Sequence, residues 1–188
     1  MSKVSTVQRT EETDVKTAAA PFRWPDASST AKVIFDEGLA FCARKADVED
    51  IQTVIERLRQ GDAAVHHYCR YGLAKKVAES IGNLDENVKA VYTLDYDATP
   101  EDRCFSDEAK TSPIHLIVWA VRKTDALDAL VSALDRALVQ EYSSMIDAPQ
   151  LTRLLDVQVV DDGDVEDRAG YGALLSSIYN RPIQIWER

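Results

Sequence analysis

The chain is poor in the residues on which several common functions depend. It holds only 3 cysteines in 188 residues. Cys42, Cys69 and Cys104 are widely spaced and show no CxxC or Cys/His ligand pattern. Neither a disulfide framework nor a zinc site is indicated, and reduced thiols are expected. Basic charge is short too, with 22 Lys plus Arg against 32 Asp plus Glu, a formal net charge of −10. A surface that acidic repels a phosphate backbone, and no basic stripe offsets it, so nucleic acid is not an expected partner. No apolar run reaches membrane-spanning length, and Met1–Pro21 lacks the apolar stretch of a signal peptide. The expectation is a cytoplasmic protein without membrane attachment. The 7 glycines build no GxGxxG or Walker loop, and Gly170-Tyr171-Gly172 is too short to cradle a phosphate. GxSxG and HExxH are missing as well, so the common hydrolase and P-loop chemistries have no support. The acidic run Asp161-Asp162-Gly163-Asp164-Val165-Glu166-Asp167 has neither the order nor the length of an EF-hand loop and reads as a solvated turn.

What is present describes a globular domain. Hydrophobic residues make up 45% and charged residues 29%, and the length suits one domain with an N-terminal extension. Residues 1–30 are polar, with Pro21 and Pro25, and read as a flexible arm. Within it Phe22 and Trp24 are either docking aromatics or incidental ones. Residues 31–188 form the domain. Val33-Ile34-Phe35 is β-like and Leu39–Cys42 helical, which leaves 31–44 unassigned. Asp47 is the expected N-cap of a helix carrying Val48, Ile51, Ile55 and Leu58 on one stripe. Asp62 caps a second, with Val65, Cys69, Leu73, Val77 and Ile81, closed by Gly82-Asn83. Together they make a helical hairpin over 47–82. His66 and His67 diverge by about 100° on that helix, so they are no shared ligand pair and read as surface and core-edge residues.

Two apolar runs, Val88–Leu94 and Ile114–Val121, have strand length and composition and flank a polar connection with turn residues at Thr99-Pro100 and Ser112-Pro113. Asp125 with Asp128 resembles a capping box, followed by a stripe of Leu127, Leu130, Val131, Leu134, Leu138 and Tyr142. A third strand is expected at Leu154–Val160, a short helix around Ala173–Tyr179, and a last strand or docked tail at Ile183-Gln184-Ile185-Trp186. The fold class is α+β, a small mixed β-sheet with helices packed on it.

That order, over roughly 68–186, resembles the minimal nucleotidyltransferase core of the DNA polymerase beta-like superfamily. Val91–Tyr96 is similar to its first strand, Ser112–Val118 to its second and Leu155–Val160 to its third. The resemblance implies a Gly-Ser turn after the first strand, a Ser-Asp-x-Asp signature on the second and an Asp on the third, which together hold magnesium and a triphosphate. Ser112 and Asp156 stand at matching positions. Asp95-Tyr96 replaces Gly-Ser, and Pro113 and His115 replace the paired carboxylates. Imidazole is a poor ligand for Mg²⁺, and proline offers no ligand at all. The expected function is therefore a catalytically degenerate nucleotidyltransferase-like domain acting as a binding or protein-interaction module. It has no catalytic residues, no cofactor, and a protein partner or self-association as a homodimer.

Two other readings stay open. Asp95 and Asp97, an i, i+2 pair, join Asp156 in a relocated carboxylate cluster of an active Mg-dependent enzyme, or else lie in a solvated loop. Alternatively the emptied pocket, lined by Ser112, His115 and Asp156, senses a small ligand. His115 and Asp156 fall on adjacent strands and form either an acid–base pair or a structural one. A ferredoxin-like α+β domain shows similar elements, and strand order separates it from the nucleotidyltransferase-like core.

Overall fold

Ala27, Ala31, Ile34, Phe35, Leu39 and Cys42 recur at helical spacing, and all are buried. They form one face of α1 (Trp24–Lys45) in the computed structural model, which describes residues 24–94, 112–179 and 181–188. The stretch read as an arm through residue 30 is thus helical from Trp24, because Ala27 belongs to the buried stripe. Phe22, Cys104 and the Thr99-Pro100 turn lie outside the described residues. The β-like Val33-Ile34-Phe35 is helical as well: Ile34 and Phe35 face the core, and Val33 is 56% exposed.

Asp47 takes a left-handed backbone at φ 52° and ends the turn after α1, so it does not cap the next helix. That role falls to Asp50, whose carboxylate accepts the N–H groups of Gln52 and Thr53 at 3.2 and 3.1 Å. α2 (Ile51–Arg59) follows, and Asp62 then caps α3 (Ala63–Leu84) through the Val65 N–H at 3.0 Å. The predicted stripe Val65, Cys69, Leu73, Val77 and Ile81 is fully buried. α3 continues past the expected stop at Gly82-Asn83, because Gly82 serves packing instead: a Cβ there would stand 2.3 Å from the Trp186 ring. α1 crosses α3 at a second close approach, where a Cβ on Gly72 would meet the Gly38 carbonyl at 2.8 Å.

The strands are β1 (Val88–Thr93), β2 (Ile114–Ala120), β3 (Leu155–Val160) and β4 (Ile183–Glu187), in the order β3-β2-β1-β4. β1 runs antiparallel to β2 and β4, whereas β2 and β3 are parallel. A parallel pair needs a long crossover, and α4 (Asp125–Ile146) supplies it. Its cap is Thr124, which accepts the Leu127 N–H at 3.2 Å, so the capping box expected from Asp125 and Asp128 does not form. Those two carboxylates sit instead in the first turn, where the helix dipole favours them. Because β2 and β3 are neighbours, the unit is not the split βαβ of a ferredoxin-like domain. The fold is α+β, with helices packed against a four-stranded mixed sheet.

Alternation along the strands divides the sheet into two faces. Val88, Val91, Ile114, Leu116, Val118, Ala120 and Leu155 join the buried residues of α1, α3 and α4 in one core. His115, Ile117 and Trp119 point the other way, with Asp156, Gln158 and Val160 beside them in register. The acidic run read as a solvated turn is mostly a short helix, α5 (Asp162–Glu166). Asp161 and Asp164 exchange side-chain to backbone hydrogen bonds at 3.0 and 3.1 Å, a capping box that gives the carboxylates a helical turn. α6 (Gly172–Leu175) is shorter than the expected helix, since Ile178 and Tyr179 beyond it are 85% and 88% exposed and contribute no buried stripe.

Candidate functional site on the second face of the sheet

The parallel register of β2 and β3 places His115 beside Asp156, and their side chains meet, with Nδ1 3.0 Å from Oδ2. The carboxylate accepts, so Nδ1 carries the proton and acid–base chemistry of the neutral ring would run through Nε2. The His115 side chain is 40% exposed and Asp156 21%, so the pair lies at the surface of this face. The second carboxylate oxygen of Asp156 is also engaged. Arg153 Nη2 lies 2.7 Å from Oδ1, and the Gln158 amide donates to the same atom at 3.2 Å. Arg153 is held in turn by donating from Nε to the Leu155 carbonyl at 2.7 Å.

A second cluster occupies the other end of the face. Asp162 Oδ1 accepts from Lys89 Nζ at 2.8 Å and from Trp119 Nε1 at 2.9 Å, while the ammonium lies 4.5 Å from the centre of the indole. Lys123 Nζ pairs with Asp164 at 2.6 Å. Lys89 and the indole N–H hold the Asp162 carboxyl below its ordinary value. Lys123 and the Asp161 N–H do the same for Asp164, and that carboxylate raises the Lys123 ammonium. Between the clusters lie the buried Ile117 and the half-buried Tyr92, whose phenol is pushed up by partial burial and by Glu187.

Of the residues singled out from the sequence, the structure brings His115 and Asp156 together. Ser112 is held through its backbone: the buried Arg70 of α3 donates to its carbonyl and, at 2.7 Å, to that of Pro113. Arg70 thereby sets the start of β2 and the position of His115. Asp95 and Asp97 lie outside the described residues. Among the described residues no three His, Cys, Asp or Glu side chains are grouped to hold a metal. His66, read as a surface or core-edge residue, is fully buried, because its ring bridges two elements. Nε2 donates to the Leu58 carbonyl at 2.7 Å and Nδ1 lies 3.3 Å from the Tyr142 hydroxyl. Cys42 and Cys69 are free, buried thiols.

Sequence reasoning missed Arg70, Arg153, Lys89 and Trp119. Trp119 had a usable signal, since it follows His115 by four residues on a strand and so shares its face. The arginines had none, because their partners are carbonyls and a carboxylate placed by tertiary packing.

The fold and this face define an α+β domain with a polar, aromatic surface on one side of its sheet. Comparison with known proteins finds no family, no curated sequence and no solved structure that matches the chain. Among the described residues no helix is long and apolar enough to cross a membrane.

Proposed function

We propose that this chain is a nucleotidyltransferase-like domain without catalysis, working as a binding or protein-interaction module through the sheet face that bears His115 and Asp156. One observation carries the reading. The Asp156 carboxylate, at the position where the resembling family uses a metal-binding Asp, is already shared by Arg153, His115 and Gln158. A magnesium ion there would have to displace a guanidinium from a charge-assisted contact, with no second described carboxylate to add. The pairing of β2 with β3, which sets Asp156 beside the strand that carries His115, supports the same reading.

The test is pyrophosphate release and thermal unfolding of the full chain with ATP, CTP, GTP and UTP, each with and without Mg²⁺. The expected result is no magnesium-dependent turnover and no magnesium-dependent shift. A nucleotide at about 100 times its Kd adds about 2.7 kcal/mol, and each kcal/mol moves the midpoint by roughly 2–4 °C at this size. Magnesium-dependent turnover that Asp156→Asn abolishes would overturn the proposal and restore an enzyme built on Asp156 with Asp95 and Asp97.

A further inference from the structure

The two edges of the sheet, β3 and β4, are built differently. β4 starts directly after Pro182, and its register with β1 shifts between Val91 and Tyr92. Both features blunt an edge against further pairing. β3 has neither, since it pairs with β2 from Leu155 to Val160 without a shift. The Ile114 N–H donates to the Leu154 carbonyl at 2.7 Å, so even-numbered residues of β3 turn their backbone groups toward β2. Leu155, Val157 and Val159 therefore turn theirs outward. Leu155 is capped within the chain, its N–H by Asp135 at 2.8 Å and its carbonyl by Arg153 at 2.7 Å. Among the described residues Val157 and Val159 have no such cap. Their side chains border a cleft of about 240 Å³ against Val131 and Asp128 of α4.

We propose that β3 is a self-pairing edge: a second copy of this chain adds its own β3 antiparallel, across a two-fold axis at Gln158, joining the two four-stranded sheets into one. The register follows from which residues face outward. Val157 of each copy exchanges both backbone hydrogen bonds with Val159 of the other. Gln158 faces Gln158, and Asp156 faces Val160, so no like charges stand directly opposed.

Charge selects this occupant. The strand is preceded by Arg153, whose side chain is 55% exposed, and followed by the acidic segment Asp161–Asp167. Antiparallel addition sets each arginine toward the acidic end of the other copy, whereas parallel addition would set acid against acid. A foreign strand would need the same polarity by chance; a second copy has it by symmetry. The proposal stands independently of the functional reading above.

Sedimentation of the full chain is the first measurement, with an expected mass twice 21.0 kDa. Gln158→Lys sets two ammonium groups opposite one another at the axis, and the dimer should be lost while far-UV circular dichroism stays unchanged. Gln158→Cys is read separately. A non-hydrogen-bonded antiparallel pair brings Cβ atoms to about 4.5–5.5 Å, close enough for a disulfide after slight adjustment. Mild oxidation should link the copies through residue 158, with the native chain under the same oxidant as control for its own cysteines. A native chain that stays monomeric to its solubility limit overturns the proposal. So does a dimer that survives Gln158→Lys and does not cross-link through Gln158→Cys.

Discussion

Arg70 donates from its Nη2 to the carbonyl of Pro113 at 2.7 Å, reaching from α3 to the residue just before β2. A second donation goes to the Ser112 carbonyl, and the arginine is only 8% exposed, so the fork joins the helical layer to the strand that carries His115. Replacing Arg70 by Met keeps most of the aliphatic stem and leaves both carbonyls without this donor. The expected loss is roughly 1–3 kcal/mol in urea unfolding, chiefly from the half-buried Pro113 carbonyl, because Ser112 is exposed and water can replace the donor there. Arg70→Lys should recover only part of it, because an ammonium lacks the planar fork that spans two acceptors. A loss below 0.5 kcal/mol, roughly the level of an ordinary surface substitution, would refute the anchoring role.

His66 makes a comparable prediction inside the core. His66→Phe preserves a ring of similar shape and removes the donor to the Leu58 carbonyl at the end of α2. It should cost about 1–3 kcal/mol. Tyr142→Phe, which deletes only the hydroxyl 3.3 Å from Nδ1, should cost less, about 1 kcal/mol. Denaturant unfolding of the two variants gives the order, and a Tyr142→Phe loss exceeding that of His66→Phe would contradict it.

Gly82 decides whether β4 can dock. Alanine on an exposed helix would gain about 1 kcal/mol over glycine. Here the added methyl would stand 2.3 Å from the Trp186 indole, so the ring has to leave its place. Overpacking of this kind costs about 1–3 kcal/mol. The net effect of Gly82→Ala should be destabilising, with tryptophan emission shifted to the red as Trp186 meets water. An increase in midpoint temperature with unchanged emission would show that the ring is not confined there.

Acid should loosen the chain through a small set of carboxylates. Asp162 is held below its ordinary value by Lys89 and Trp119, and Asp164 by Lys123 and the Asp161 N–H. Burial pushes Asp62 up, but the Val65 N–H and Arg57 outweigh it, and its pKa is lowered too. Each therefore binds its proton more weakly folded than unfolded. Their stabilisation is complete above the unfolded value near pH ~4 and is lost as pH falls through the lower folded values. Lys123 runs the other way. Its pKa is raised chiefly by Asp164, so its contribution is complete below about pH 10 and is lost as pH rises further. Thermal midpoints of native chain and Asp162→Asn across pH 2–7 test the acid side. The two curves should converge as pH falls below ~4, and a constant gap throughout would exclude linkage at Asp162.

The residues by themselves determined the elements that bury a regular stripe. Val65 to Ile81 at helical spacing, Leu127 to Tyr142 likewise, and the short β-rich runs at Val88, Ile114 and Leu155 all fold as their periodicity dictates, because burial of one face is a local property of spacing. The same alternation put His115 and Asp156 on one side of their strands. Tertiary structure decided the rest. Asp50 and Thr124 are the caps in place of Asp47 and Asp125, since neighbouring Asp and Thr residues compete for the role and packing chooses where the helix enters the core. Gly82 reads as a helix stop until Trp186, more than a hundred residues later, is laid across it. Arg70 and Arg153 act on carbonyls, which every residue carries, so no residue pattern marks their targets. Which strand became the open edge followed from the order β3-β2-β1-β4, a property of how the whole chain closes around one core.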